Sequence, residues 1–331
     1  MATFYFNGAV DGEWTELGNW WTDSGFTTQA TSLPTSADDV IATASISSNS
    51  GSEPTVVNFT LNDPSENFYF LGIAITVTGN ANFNDSSGND GGTVTGDATF
   101  NGSSGNYYGV TGDATFNDGS FNDGTVTGDA TFNEYSYNYG TVSGDANFND
   151  SSINATFNVV SSNGGTVSGN ATFNDGSSNQ VGSNVSGNST FNDTSYNDGT
   201  VSSDATFNNS SYNLSVVGGN ATFNDMSQNM STGTVGGNGI FNNSSFNSGS
   251  VTGNATLNHT SYNDFGATVS SDAIFNHNSY NGESATVTGT ATFNDASYTI
   301  PGVTIGTVVL GSRTPYPLRY GINNSNILGI I

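Results

Sequence analysis

Residues 110–133 read VTGDATFNDGSFNDGTVTGDATFN, and this stretch holds two copies of a repeat that recurs from about residue 79 to residue 299. Successive A-T-F-N motifs are mostly 16 or 18 residues apart, with single spacings of 17 and 25. A fixed period of this length is typical of repeat architectures, in which each repeat packs only against its neighbours. The apolar residue that ends each A-T-F motif or its variant is found at Phe83, Phe100, Phe116, Phe132, Phe148, Phe173, Phe191, Phe207, Phe223, Phe241, Leu257, Phe275 and Phe293.

Three positions within each coil predict three faces. A second apolar position, such as Phe121 or Tyr137, follows the motif Phe by five residues, and a valine such as Val126 precedes the next motif Phe by six. Such short segments bury little alone, but coils stacked about 4.8 Å apart pair their backbones. No segment keeps a helical periodicity. The sequence therefore predicts an all-β, three-sided β-solenoid (parallel β-helix) with 16–18-residue coils, in which all three positions face inward.

Finer features of the coil follow from strand alternation and from residue type. Ala114 and Phe116 are predicted to point inward and Thr115 outward. Glycines after the valine, such as Gly112, are predicted to adopt a positive φ at a corner. Asn follows the motif Phe in every coil and the second apolar position in many, and both columns are predicted to form amide ladders and to occupy left-handed corners. The spacing of 25 indicates a nine-residue insertion that contains Phe157.

The flanks differ from the repeat, and they predict caps on the solenoid. Residues 1–40 are aromatic and irregular and are interpreted as an N-terminal cap. Residues 41–78 are interpreted as imperfect first coils, and residues 79–299 as a regular solenoid of about 13 coils. Residues 300–331 are interpreted as a C-terminal cap or an assembly segment. Caps are expected because an uncovered strand edge pairs with other chains.

Composition and charge argue against several classes of partner. The chain has 331 residues, a formal net charge of −26, no lysine and only two arginines, Arg313 and Arg319. Nucleic acids and anionic lipids are bound through basic surfaces, so neither partner is expected. No apolar run approaches the roughly 18 residues of a membrane span, and the start MATFYFNGAV lacks the features of a secretory signal. Without cysteine, no disulfide or thiolate metal site is predicted.

The sequence predicts no catalytic residue and no organic cofactor. Parallel β-helices that cleave polysaccharides carry clustered carboxylates with a basic residue, whereas here the carboxylates recur at repeat positions and residues 1–312 contain no Lys or Arg. His259 and His277 hold equivalent positions one coil apart and are predicted to stack. A two-histidine metal pair and an exposed corner that accepts any polar residue are the two interpretations.

A column of carboxylates predicts a calcium ladder. Asp97, Asp113, Asp129 and Asp145 each lie three residues before a motif Phe and are expected to stack on successive coils. Two such charges about 4.8 Å apart repel by roughly 0.9 kcal/mol in water. Bound Ca²⁺, a hard cation that prefers oxygen ligands, would relieve this repulsion. Screening by dissolved salt is the alternative.

Threonines beside the valine suggest a second kind of ligand surface. Thr93 and Thr95 flank one valine, and Thr125 and Thr127 flank another. A flat array of this type resembles the ice-binding faces of antifreeze proteins with a β-solenoid fold. Threonine is also simply a favourable strand residue. The array is interrupted at Asn184, Val216 and Gly218.

Three stretches carry a resemblance to known architectures. The pattern W-x-x-L-G-N-W-W … L-P-T-S-A-D-D-V, within residues 14–40, resembles segments that precede repetitive β-solenoids in bacterial surface proteins and phage structural proteins. The G-T-V-T-G-D-A-T-F-N-D array resembles the Asn-rich repeats of such fibres, and PLRYGINNSNILGII at residues 317–331 is similar to termini of phage-encoded structural proteins. Hexapeptide, pentapeptide and GGxGxDxux calcium repeats are absent. The resemblance implies a structural or adhesive role.

The first functional expectation is a non-catalytic structural or adhesive rod. It would be a subunit of an extracellular filament, a surface layer or a phage or virion appendage, would self-associate as a homo-oligomer or filament, and would contact glycans or a host surface. The second is a ligand-binding solenoid that uses its Thr or Asp ladders to bind ice, glycan or calcium. The third is a polysaccharide-degrading β-helix enzyme.

Overall fold

The computed structural model describes residues 1–46, 54–62, 75–149, 161–300 and 302–311, and the backbone of Ile327–Ile330. It is an all-β, parallel β-solenoid of about 14 turns with about 17 residues in each, which confirms the predicted fold class. Its contacts divide the chain into two compact units, Met1–Gly169 and Asn170–Ile331, called unit 1 and unit 2 here. The predicted insertion at Phe157 and both arginines lie outside the described residues.

A complete coil contributes one short strand to each of three faces. The Phe face contains the A-T-F strands, such as Ala114–Phe116. The Tyr face contains the strands that end in Asn, such as Tyr137–Asn138. The Val face contains strands such as Thr125–Val126. Leu17–Asn19 forms a short 3-10 helix.

In unit 1 the Phe face is built from Thr3–Phe6, Asp39–Ala42, Phe59–Asn62, Ala81–Asn84, Ala98–Phe100, Ala114–Phe116, Ala130–Asn133 and Ala146–Asn149. The Tyr face is built from Gly88–Asn89, Gly105–Asn106, Phe121–Asn122, Tyr137–Asn138 and Ser162–Asn163. The Val face is built from Thr55–Val56, Thr76–Val77, Thr93–Val94, Gly109–Val110, Thr125–Val126, Thr141–Val142 and Thr166–Val167. One further strand, Trp20–Trp21, belongs to none of the three faces.

In unit 2 the Phe face is built from Ala171–Phe173, Ser189–Phe191, Ala205–Phe207, Ala221–Phe223, Gly239–Phe241, Ala255–Leu257 and Ala273–Phe275. The Tyr face is built from Ser178–Asn179, Tyr196–Asn197, Tyr212–Asn213, Gln228–Asn229, Phe246–Asn247, Tyr262–Asn263, Tyr280–Asn281 and Tyr298–Thr299. The Val face is built from Asn184–Val185, Thr200–Val201, Val216–Val217, Thr234–Val235, Ser250–Val251 and Thr268–Val269. Two longer strands, Thr286–Phe293 and Thr304–Leu310, run from the Val face onto the Phe face, and Ile327–Ile330 pairs in parallel with the second of them.

The core is a set of identical side chains stacked coil upon coil. Phe100, Phe116 and Phe132 lie in strict parallel register and are fully buried. Their rings stack 4.8 Å apart and are tilted by only 5–6°. Ala114 and Val126 are equally buried, while Thr115 points outward as predicted. Burial of one such Phe side chain contributes roughly 1.5–3 kcal/mol, so every added turn stabilises the one before it.

A tight turn with left-handed residues joins the Phe face to the Tyr face. The N–H of Ser195 donates to the carbonyl of Asn192 across 3.1 Å, and the two residues between them, Asp193 and Thr194, have φ values of 51° and 68°. Two positive φ values are the property of a type I′ turn. The expectation that the ladder Asn itself is left-handed is therefore wrong, because the two residues after it take that conformation.

The glycine after the valine has a different role from the predicted one. Gly112 does not have a positive φ. A Cβ at this position would lie 2.5 Å from the carbonyl oxygen of Gly96 and 2.6 Å from Oδ1 of Asp97. The glycine is therefore needed for the close approach of one coil to the next.

The Tyr face also departs from the prediction. Tyr137 is only half-buried, whereas Ser136 and Asn138 on either side of it are completely buried. The prediction that the second apolar position faces inward is wrong. The interior of this face accepts polar side chains because each Asn bonds to the Asn of the next coil.

The N-terminal residues cover the outer strand edge of the first coil. Thr3–Phe6 pairs in parallel with Asp39–Ala42 on one edge and antiparallel with Trp20–Trp21 on the other. Trp20 is fully buried, and its ring lies 5.0 Å from that of Phe6. Residues 1–40 therefore supply both a first Phe-face strand and the strand that covers its edge. At the other end, residues 302–311 continue the solenoid, and the predicted role of residues 300–331 stays a prediction.

Candidate functional site

The four residues of the predicted calcium ladder form an exposed column at the start of the Phe face. Oδ1 of Asp97 accepts the backbone N–H of Asp113 at 3.0 Å. Oδ1 of Asp113 accepts from Asp129, and Oδ1 of Asp129 accepts from Asp145, both at 2.9 Å. Each of these carboxylates therefore satisfies a main-chain donor at the corner of the next coil. The predicted stacking is confirmed, and its immediate function is to join coils.

Unit 2 holds mostly Asn at the same motif position. Oδ1 of Asn220 accepts the backbone N–H of Asn238 at 2.9 Å, and Oδ1 of Asn238 accepts that of Asn254 at 2.8 Å. Oδ1 of Asn254 in turn accepts the N–H of Asp272 at 3.2 Å. Asp and Asn offer the same kind of acceptor oxygen. The column therefore needs an oxygen atom and does not need a negative charge.

The placement of these carboxylates bears on the predicted calcium site. Within the described ranges, no three His, Asp or Glu side chains are grouped so that they could hold a metal ion. The four Asp residues lie one per coil rather than in one cluster. The calcium ladder stays a prediction, in which neighbouring coils would each supply one carboxylate.

A second acidic pair lies on the turn after the Phe face. Asp118 and Glu134 occupy left-handed positions on adjacent coils, with φ values of 54° and 48°. A hydrogen bond with the Glu134 side chain, partial burial and the charge of that carboxylate raise the pKa of Asp118 above its usual range. Stacked Asn residues of the outer ladder line the shallow groove beside this pair: Asn101, Asn117, Asn133 and Asn149. The Asp118 carboxyl group thus retains a proton more readily than an isolated one.

The two histidines stack as predicted. Their rings lie 4.7 Å apart and are tilted by 4°, and Nε2 of His277 is 3.6 Å from Oδ2 of Asp295 on the following coil. Both histidines occupy the left-handed turn position at φ 51°, which Asp193 and Asn209 fill in other coils of unit 2. The position accepts several kinds of polar side chain, and the two-histidine metal pair stays a prediction.

Both predicted amide ladders are present, and they run in opposite senses. In the outer ladder, next to the Phe face, Nδ2 of Asn117 donates to Oδ1 of Asn101 on the preceding coil at 2.8 Å. In the inner ladder, inside the Tyr face, Nδ2 of Asn197 donates to Oδ1 of Asn213 on the following coil at 2.8 Å. Asn213 then donates to Asn229 at 2.9 Å, and all three inner residues are fully buried. Most polar side chains at the strand ends are therefore used to join coils.

The outward side of the Tyr face carries a stack of aromatic rings that the sequence did not reveal. The Tyr262 and Tyr280 rings lie 4.8 Å apart with a tilt of 3°, and Tyr298 stacks on Tyr280 at 5.3 Å. Because the rings cover one another's faces, mainly their edges meet solvent. Burial, together with the neighbouring tyrosines and Asp264, raises the pKa of Tyr280 to about 12. The stack could have been inferred from the constant Asn that follows each variable aromatic position.

The threonines of the Val face point outward as predicted. Thr93 and Thr95 are exposed on either side of a buried valine, and so are Thr125 and Thr127 two coils further along the same column. In unit 2 the column is less regular, since Val216 replaces a threonine and is 42% exposed. The Val face therefore presents a hydroxyl array that is more regular in unit 1.

Comparison with known proteins adds no relative: no family model, no curated protein and no solved structure matches this chain. In the part of the chain that the structure describes, no helix has the length and apolar character needed to cross a membrane. The same part contains no Lys or Arg side chain, while the acidic residues recur along the coils.

Proposed function

We propose that this protein is a non-catalytic structural or adhesive β-solenoid, a subunit of an extracellular filament, a surface layer or a phage or virion appendage. The observation that supports this role is the use of polar side chains in coil-to-coil ladders. Catalysis requires a particular nucleophile, base and acid held together at one place. Here the carboxylates and amides recur at fixed repeat positions, where the amides bond to their copies on adjacent coils and the carboxylates accept a backbone N–H of the next coil.

The energetics of the coil suit a load-bearing or display role. Each regular turn buries a stacked Phe, an Ala and a Val, and it adds two amide ladder bonds to the backbone pairing. A typical hydrogen bond contributes about 1 kcal/mol net. Stability in such a repeat is close to a sum over neighbouring turns. The fold therefore places a regular surface on a rigid support without needing a large globular core.

The covered first edge favours certain modes of self-association. Trp20–Trp21 occupies the edge of Thr3–Phe6 that would otherwise present unpaired backbone groups. Free strand edges are the usual sites of strand-to-strand polymerisation. Self-association through another surface is therefore favoured over pairing at this edge, and we propose lateral contacts or contacts through residues 300–331.

Electron microscopy combined with immunolabelling tests the proposal. Purified protein should form ordered polymers, or antibodies against it should label the exterior of cells or virus particles of its source. Uniform monomers together with label confined to the cell interior would overturn the structural role. A hydrolysis assay with soluble polysaccharides is the companion measurement, and release of reducing sugar would overturn the non-catalytic part of the proposal.

A second candidate, binding to an ordered surface such as ice, is favoured by the Phe face of unit 2. The outward residue of its successive strands is Thr in six coils and Ile in two: Thr172, Thr190, Thr206, Thr222, Ile240, Thr256, Ile274 and Thr292. The outer Asn ladder lies beside this column and keeps it regular. Thermal hysteresis is the test. We expect freezing-point depression that Thr222→Tyr abolishes, and its absence in the unsubstituted protein would reject this candidate.

A further inference from the structure

Among the described coils of unit 1, the outward threonine column on the Val face has one gap. Gly109 pairs in register with Thr93 on one side and Thr125 on the other, and Thr141 follows on the next coil. A Cβ built on Gly109 would have no atom within 4 Å. The missing side chain therefore leaves a notch open to solvent in an otherwise continuous row.

A shallow groove surrounds this notch and spans three successive coils. Its lining includes Tyr107 and Tyr108 from one coil, Asp123 and Thr125 from the next, and Thr141 from the third. Gly109, Gly124 and Gly140 complete the lining, and the last two cannot be replaced without displacing the backbone. A Cβ at Gly124 would lie 2.0 Å from the carbonyl oxygen of Tyr108, and one at Gly140 would lie 2.1 Å from that of Gly124. The groove is thus built from backbone, hydroxyl, carboxylate and aromatic groups.

The aromatic group in the groove is accessible in a way that the stacked tyrosines are not. Tyr108 is 55% exposed and has no stacked aromatic partner among the described residues. In unit 2, by contrast, the tyrosine rings cover one another's faces. An uncovered ring can pack against the apolar face of a ligand while its hydroxyl bonds to water or to the ligand.

The charged groups around the groove indicate which class of ligand fits it. Asp123 lies in the groove, and the described residues hold no Lys or Arg that could attract an anion. Burial, followed by the charges of Asp123 and Asp90, raises the pKa of Tyr107 to about 12, so its phenol stays protonated well into the alkaline range. Carboxylates and carbonyls accept hydrogen bonds, and hydroxyls both donate and accept them. This set of groups matches an uncharged ligand that combines many hydroxyls with apolar C–H faces.

We propose that the groove around Gly109 binds a neutral carbohydrate. Tyr108 would pack against a sugar ring, Asp123 would accept hydrogen bonds from sugar hydroxyls, and the notch at Gly109 would admit the ring edge between the threonines. This inference rests on the adhesive function proposed above and names both the surface and the class of partner.

Isothermal titration with neutral cello-, malto-, laminari- and chito-oligosaccharides tests the site. We expect at least one of them to bind with a dissociation constant of roughly 1 mM or lower. Tyr108→Ala should weaken that binding at least tenfold, which corresponds to about 1.4 kcal/mol. Gly109→Thr should also abolish it, because the substitution fills the notch with the residue that both neighbouring coils carry.

Two controls separate loss of binding from loss of fold. Gly109→Thr should leave the melting temperature unchanged, since the column already holds threonine at the positions paired with it. Tyr139→Ala removes another tyrosine of unit 1 that is also 55% exposed and does not line the groove, and it should leave binding unchanged. Equal losses in the Tyr108 and Tyr139 variants, or unchanged binding after Gly109→Thr, would overturn the site.

The failure of this inference is distinguishable from the failure of the proposed function. Absence of binding to every neutral oligosaccharide, or binding of acidic glycans or of deglycosylated host protein alone, would overturn the carbohydrate site. The structural role would still stand if microscopy showed polymers or surface label. Interior label with uniform monomers would overturn the structural role while leaving a measured saccharide affinity intact.

Discussion

The exposed column at the start of the Phe face differs between the two units in charge but not in bonding. In unit 1 the acceptor for the next backbone N–H is mostly a carboxylate, as in Asp113, and in unit 2 it is mostly an amide oxygen, as in Asn238. The bond lengths are nearly equal at 2.9 and 2.8 Å. The fold therefore needs an acceptor at this corner and leaves the charge free for another use. The carboxylates of unit 1 are therefore the candidate site for a bound cation.

The inner Asn ladder shows the opposite behaviour. It holds Asn in both units and never Asp from Asn89 to Asn281 among the described coils. Its inner members accept one ladder bond and donate another in full burial, as Asn213 does with Asn197 and Asn229. A carboxylate cannot donate, and an unpaired buried charge is costly. An exposed side chain that only accepts a hydrogen bond can be Asp or Asn. A buried side chain that must both donate and accept can only be Asn.

The same Asn-to-Asp change in these two columns should therefore have very different effects. Asn213→Asp should lower the free energy of unfolding by about 3–5 kcal/mol, because it leaves a buried charge and an unmatched acceptor on Asn229. Asn238→Asp is the matched control in the exposed column of unit 2, and we expect a change within about 0.5 kcal/mol. Urea denaturation of the two variants is the measurement. Similar small losses in both would show that the inner ladder does not stabilise the fold.

The tyrosines of both units should produce an alkaline loss of stability, with burial as the shared largest cause and with different neighbouring charges. The pKa of both Tyr107 and Tyr280 is raised to about 12, first by burial and then by Asp123 and Asp90 in unit 1 or by Tyr262, Tyr298 and Asp264 in unit 2. Because the folded state holds the phenolic proton more tightly than the unfolded chain, whose reference pKa is 10.0, this contribution is complete below pH 10. It is lost as the pH rises from 10 to about 12.

Melting temperature measured against pH checks this expectation. Tyr280→Phe and Tyr107→Phe should each make the alkaline decline shallower, because the group that ionises is removed. Added salt should weaken both contributions only in part, since salt screens the neighbouring charges but not burial, which is the largest cause at both sites. If neither substitution changes the alkaline decline in melting temperature, other ionising groups cause that decline.

The repeat spacing was enough to predict two of the three faces. The constant Phe and Val positions indicated what is buried, and alternation within A-T-F placed Thr115 outside. The Tyr face could not be predicted in the same way, because alternation does not carry through a turn with two left-handed residues such as Asp193 and Thr194. A shift of one residue after that turn exchanges the inward and outward sides. The assumption that aromatic residues lie in the core therefore predicts the wrong side of the Tyr face as the inward side.

The site depended on features that residue type alone does not reveal. The stacking of the four Asp residues followed from their spacing, but the bond from each Oδ1 to the next backbone N–H depends on the geometry of the corner. Gly112 was recognised as special for the wrong reason, since contact with the previous coil rather than φ requires it. The notch at Gly109 is visible only when the coils are placed in register, because a single glycine among many carries no signal of its own.

Substitutions at Asp113 separate the acceptor from the charge in unit 1. Asp113→Ala removes the acceptor for the N–H of Asp129 and should cost about 1 kcal/mol of unfolding free energy. Asp113→Asn keeps the acceptor and removes repulsion from the carboxylates one coil away, roughly 0.9 kcal/mol each in water, so it should be neutral or slightly stabilising. Thermal denaturation of both variants at low salt is the measurement. An equal loss in the two would mean that the charge itself stabilises the column.

The smallest expected effect is stabilisation by calcium, and it tests whether the carboxylates of unit 1 bind a cation. An ion bound only to the folded ladder raises the unfolding free energy by about 0.4 kcal/mol when its concentration equals the dissociation constant. Calcium chloride should therefore raise the melting temperature more than sodium chloride at the same ionic strength. Replacement of Asp97, Asp113, Asp129 and Asp145 by Asn should remove that difference, whereas Asp204→Asn with Asp272→Asn in unit 2 should not. An equal rise with both salts would show that screening alone relieves the repulsion, and the calcium ladder would then be rejected.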